Sequence, residues 1–148
     1  MEGHIKEPNY SADWGDVYSF GHHMKAKAHR EGRDLLLIDS GDLHDGTGLS
    51  DTTNPDGRIT NKIFQYIDYD LLSVGNHELY VGAVTKDMYY NFVPRYQGRY
   101  LTSNVNITIN GVSKPLGSLY RKFRTPINNY TILAFGVLFD FHGPSSKS

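Results

Sequence analysis

Two short stretches carry the side chains that could do chemistry. LLLIDSGDLHDGTGLSD, Leu35 to Asp51, is an apolar run that opens into a loop holding Asp39, Asp42, Asp45 and Asp51. LLSVGNHELY, Leu71 to Tyr80, repeats the plan with Asn76, His77 and Glu78 at its exit. Carboxylate, amide oxygen and imidazole are hard or borderline ligands, suited to Mn, Zn or Fe. Two such ions a few ångströms apart can clamp a phosphate and activate a water. The chain has no cysteine, so a metal here would be held without thiolate.

These loops need neighbouring strands to bring them together. Asp13 is placed to cap a helix running to about Arg30, with Trp14, Val17, Met24 and Ala28 at helical spacing and Gly32 just beyond. The pattern then predicts a buried strand over Asp34 to Ser40, a helix over Thr60 to Tyr69, and a strand over Leu71 to Gly75. A third helix should cover about Val84 to Phe92 and stop near Pro94. Tyr100 to Ile107 reads as strand, with a hairpin turn at Asn110-Gly111. Two further strands, Leu119 to Arg124 and Thr131 to Phe139, flank a turn at Pro126 to Asn129. Alternation of this kind favours a largely parallel sheet, which binds ligands beyond the carboxyl ends of its strands. Both loops leave at that end, so Asp42 and Asn76 meet if their strands are neighbours.

At 148 residues the chain fits one domain, able to bury roughly two thirds of its unfolded surface. A net charge of −1 with mixed signs gives no basic stripe, which argues against a nucleic-acid partner. No apolar run approaches a membrane span, and residues 1 to 30 lack a signal peptide's apolar centre. Three N-x-[ST] sequons, at Asn9, Asn106 and Asn129, favour a secretory, vacuolar or extracellular route.

Gly41-Asp42-x-x-Asp45 followed by Gly75-Asn76-His77-Glu78, each after an apolar strand and with Asp42 and Asn76 34 positions apart, resembles the second and third signature blocks of the calcineurin-like metallophosphoesterases. YLTSNV from Tyr100 and ILAFGV from Ile132 resemble later strands of the 5′-nucleotidase-like branch. The resemblance implies an α/β fold, a metallophosphoesterase-type β/α sandwich of which residues 1–148 form a single partial domain, the N-terminal half of the catalytic domain. It also implies hydrolysis of a small phosphorylated substrate, a nucleotide among the candidates, at a site holding two divalent ions.

By that resemblance Asp42 bridges the metals, Asn76 binds the second, and His77 faces the phosphate, stabilising the transition state and helping to protonate the leaving oxygen. The branch usually places an aspartate three positions after this histidine to hold its tautomer, where Tyr80 stands here. Asp45 is then the candidate partner of His77, as in the protein Ser/Thr phosphatase branch.

The family's first block, Asp-x-His, and its later histidines, including Gly-His-x-His, do not occur where the resemblance would put them, before His4 and after Ser148. The expectation is a chain truncated at both ends, with an incomplete metal site. Asp140-Phe141-His142 mimics the first block but sits last, which would demand a circular permutation; a chance meeting of strand-end Asp and His is the simpler reading. An inactive fragment or pseudoenzyme that binds phosphate or a partner is the alternative function, and a carbohydrate or nucleotide binding module needing no metal is a third.

Blander readings hold elsewhere. Asp39 reads as a loop-bracing acceptor. His22, His23 and His29 read as solvated, and His4 and His44 as surface residues in polar loops. Glu78 could serve the loop backbone instead of the metal, and of the eleven tyrosines, expected mostly in core or rim packing, only Tyr80 is placed to face a substrate.

Overall fold

The computed structural model describes residues 12–44 and 48–139. Expectations for His4, Asn9, Asp45, Asp140 and His142 fall outside the described residues.

Helix α1 spans Trp14–Arg30. Its N-terminus is closed by a capping box, in which the Asp13 carboxylate accepts from the Gly15 and Asp16 amides and the Asp16 carboxylate accepts from the Asp13 amide. Gly32, at φ +66°, ends it in the left-handed conformation that suits glycine. His22, His23 and His29 are exposed along it, as expected.

Strands β1 (Ile38–Asp39), β2 (Leu71–Ser73) and β3 (Tyr100–Leu101) form a parallel sheet in that order, with Ile38 opposite Leu71 and Leu72 opposite Tyr100. The sheet is parallel as expected, but its strands are shorter. Before β1 the Leu37 carbonyl still accepts the Asp70 amide, and further contacts run through side chains. The Asp34 carboxylate accepts from Thr125 Oγ1 and from the Ile127 and Asn128 amides, and the Leu37 amide donates to Asp70 Oδ2. Beyond β3, Thr102 N–H donates to the Ser118 carbonyl and Ser103 N–H to that of Gly136. One strand over 100–107 is therefore divided, and its second part is β4 (Asn106–Ile109).

Strand β4 pairs antiparallel with β5 (Val112–Pro115) around Asn110-Gly111, both at positive φ as a two-residue hairpin turn requires. Strands β6 (Arg121–Arg124) and β7 (Thr131–Ala134) make the second hairpin. Between β1 and β2 lies the short helix α2 (Thr60–Phe64). Helix α3 (Gly82–Asp87) widens into a π-turn over Met88–Phe92 and tightens to 3-10 helix over Val93–Tyr96. Pro94 does not end this run, because it occupies the first turn of the 3-10 segment, where its missing N–H needs no partner.

The core is aromatic. Phe64 takes the edge of Trp14 at 5.0 Å and stacks on Tyr69 at 4.8 Å, while Phe92 meets Tyr96 and Tyr100 edge-on. Leu43, Ile67, Leu72, Val74, Met88, Ile107 and Leu116 pack around these rings. Tyr69, Tyr96 and Tyr100 are buried, whereas Tyr18, Tyr66, Tyr90, Tyr120 and Tyr130 are exposed, so the tyrosines divide more evenly between core and surface than expected. Among the described residues no helix is long and apolar enough to cross a membrane.

Candidate metal centre

Because β1 and β2 are adjacent and parallel, the loops that follow them leave side by side. They touch backbone to backbone. A Cβ on Gly41, at φ +99°, would stand 2.1 Å from the Gly75 nitrogen, and one on Gly75 would stand 2.2 Å from Asp42 Oδ1. Only glycine permits this approach. Asp42 itself adopts φ +61°, which turns its carboxylate across the gap, where Oδ1 accepts the His77 amide at 3.1 Å. The two signature loops thus meet, as expected of exits from neighbouring strands.

Glu78 locks them. It is fully buried, and its carboxylate accepts backbone N–H groups from both loops: Gly75 at 2.8 Å and Asp42 at 2.9 Å on Oε2, Leu43 and His44 (3.1 Å) on Oε1. His44 Nδ1 adds a fifth contact at 3.0 Å. Burial by itself raises the Glu78 pKa, but the His44 and backbone hydrogen bonds outweigh it and hold the group below its ordinary value. Glu78 therefore serves the backbone of the loops, the blander of its two readings.

His44 corrects the sequence reading. It is buried, not a surface residue of a polar loop, with Nδ1 on Glu78 and Nε2 2.8 Å from the side chain of Asn61, one residue into α2. Gly57, at φ +85°, makes room for the ring, since a Cβ there would meet His44 Cδ2 at 2.0 Å. Sequence reasoning missed His44, Asn61 and Gly57 as a unit. Their link is tertiary, and the available signal was the buried glutamate of GNHE, which demands donors from somewhere.

Asp39 braces its loop as expected, accepting the Gly41 amide at 2.8 Å. Burial, with smaller contributions from the Glu78 and Asp42 charges, pushes its pKa up to about 6 against the opposing Gly41 hydrogen bond. Asp51 accepts the hydroxyl of Ser50 and lies in a separate 3-10 turn, Ser50–Thr52.

Asn76 and His77 stand at the start of a second 3-10 turn, His77–Leu79. Asn76 Nδ2 donates to the Tyr80 hydroxyl, and the His77 ring meets the Tyr80 ring at 4.7 Å with planes at 62°. The structure thus sets the Asp42 carboxylate against the backbone of the loop that carries Asn76 and His77. Asp45, proposed as the partner of His77, lies outside the described residues.

The donor set fits a divalent cation: an exposed carboxylate and a half-buried carboxamide on touching loops whose glycines leave no room for a Cβ. Among the described residues no group of three or more His, Cys, Asp or Glu side chains converges, so Asp42 and Asn76 would by themselves fill only part of a coordination shell.

No family model matches the chain. Over its whole length it is 57% identical to a secreted protein of Arthroderma benhamiae, and 44% and 38% identical to uncharacterized proteins of Schizosaccharomyces pombe and Saccharomyces cerevisiae. It spans 22 to 25% of the length of these relatives. Among solved structures, 97% of the chain superimposes on a 5′-nucleotidase from Candida albicans with a TM-score of 0.89 and 50% identity, covering 27% of that protein.

Proposed function

We propose that this chain falls in the 5′-nucleotidase-like branch of the calcineurin-like metallophosphoesterases and supplies part of a dinuclear centre hydrolysing phosphoric monoesters, with nucleotides the first substrates to test. The supporting observation is the approach of the Asp42 carboxylate to Gly75 and to the His77 amide, the residues on either side of Asn76, across two glycine-tight loops locked by Glu78. The bound ions (Mn, Zn or Fe) would polarise the phosphate and lower the pKa of a water nucleophile. The chain's own residues do the rest. Asp42 would bridge the ions, and its negative charge suits two cations as an amide would not. Asn76 would hold the second through its carbonyl oxygen. His77, at the rim of the same loop, would face the phosphate, donate to a non-bridging oxygen as charge builds, and pass a proton to the leaving alkoxide. Asp45 would orient that imidazole.

The test belongs in a protein that carries this segment at the full length of its relatives. There His77→Asn should cut phosphomonoester turnover by on the order of a hundredfold or more while leaving metal content nearly intact. Asp42→Asn should lose metal and activity together. Asp45→Asn should mimic His77→Asn, and the double variant should be little worse than either single one. Full activity in Asp45→Asn would remove Asp45 from the mechanism.

A second reading applies to the 148 residues by themselves: a phosphate-binding or interaction module without turnover. The observation favouring it is the short donor set, since a stable site needs more than two protein ligands. Metal binding that is weak and below two ions per chain is expected on this reading. For localisation, we take a secretory route, supported by the secreted relative and by exposed sequon asparagines Asn106 and Asn129.

A further inference from the structure

We infer that Tyr80 is a positioning residue for the metal site, acting through Asn76 and resting on the metal reading above. A carboxamide can turn either end toward a cation, and only its oxygen binds one. Asn76 Nδ2 donates to the Tyr80 hydroxyl, one helical turn further on. With the nitrogen so engaged, Oδ1 is left as the ligand, and among the described residues no donor reaches it. The reverse arrangement, with the phenol donating to Oδ1, would present N–H groups to a cation. The Tyr80 ring also lies against His77 at 4.7 Å, so one side chain braces both functional residues of the loop.

This assigns a role to the position where the sequence departs from its branch. A carboxylate there would orient the histidine by charge. A phenol acts otherwise: it holds the neighbouring amide by a hydrogen bond and the imidazole by ring contact. Residues that orient a metal ligand typically change affinity by 10- to 100-fold when altered, although they never touch the ion.

The test uses the 148-residue chain and Mn²⁺, with affinity read by water-proton relaxation and the Asn76 side-chain amide followed by ¹⁵N NMR. Tyr80→Phe keeps the ring and removes the acceptor. It should move the Asn76 side-chain amide signals in the metal-free chain and weaken Mn²⁺ binding by roughly tenfold. In an Asn76→Ala background the same substitution should weaken binding no further, because its route through Asn76 is gone. A purely structural tyrosine would instead lower the melting temperature and add its effect to that of Asn76→Ala. Mn²⁺ affinity unchanged in Tyr80→Phe, with the unaltered chain binding, would overturn the role of Tyr80 alone. Failure of the unaltered chain to bind Mn²⁺ would overturn this inference; the metal reading is judged separately, by the metal content of Asp42→Asn in the full-length protein.

Discussion

Glu78 Oε1 and His44 Nδ1 lie 3.0 Å apart, with Glu78 fully buried and His44 1% exposed, and each belongs to a different signature loop. The carboxylate also gathers four backbone amides, so the contact couples the conformation of residues 42–44 to that of residues 75–78. A buried carboxylate with this many donors is costly to alter. A glutamine presents only one acceptor oxygen and turns an N–H₂ toward amides that need an acceptor. Glu78→Gln should lower stability by about 3 kcal/mol in urea denaturation, the size expected for breaking a buried pair. Since the folded pKa of Glu78 lies below its unfolded one, its stabilisation is present above the ordinary carboxylate range and is lost as pH falls through and below it. The gap between Glu78→Gln and the unaltered chain should narrow accordingly between neutral and strongly acidic pH.

Asp39 shows the opposite sign. Its folded pKa of about 6 exceeds its unfolded value near 3.8, so the folded state holds the proton more tightly. Stability from this group is full below pH 4 and falls as pH rises through 6. Asp39→Asn keeps an oxygen for the Gly41 amide and removes the desolvated charge beside Glu78. In the presence of chelator it should match the unaltered chain below about pH 4 and exceed it by up to about 2 kcal/mol at pH 8. Equal stability at pH 8 would show that Asp39 ionises without penalty.

The secretory route is checked on the chain's surface. Asn106 is exposed in β4, and Asn129 is exposed in the β6–β7 turn at φ +58°. Expressed with an added signal sequence, the chain should carry glycan at one or both. A mass unaffected by glycosidase would count against that route.

Much of this site was legible in the sequence, for local reasons. Asp13 and Gly32 bracket α1 because capping chemistry is written within a few residues. Asn110-Gly111 makes its hairpin because both positions require positive φ. Asp42 reaches the loop of Asn76 because two apolar runs become neighbouring parallel strands. What escaped was tertiary. The strand over 34–40 shrank because Asp34 is claimed by residues more than ninety positions away. His44 reads as a polar-loop residue until Asn61, Glu78 and the bare face of Gly57 enclose it. No pattern in the sequence pairs position 44 with position 61.

The most direct measurement follows backbone amide signals of the uniformly ¹⁵N-labelled chain as Mn²⁺ is added. If Asp42 and Asn76 share a cation, paramagnetic broadening begins at residues 41–43 and 75–77, and Asp42→Asn abolishes it at the same metal concentration while the remaining spectrum stays folded. Broadening centred elsewhere, such as at the exposed Asp68 beside Lys25, or broadening at these loops that survives Asp42→Asn, would contradict the account.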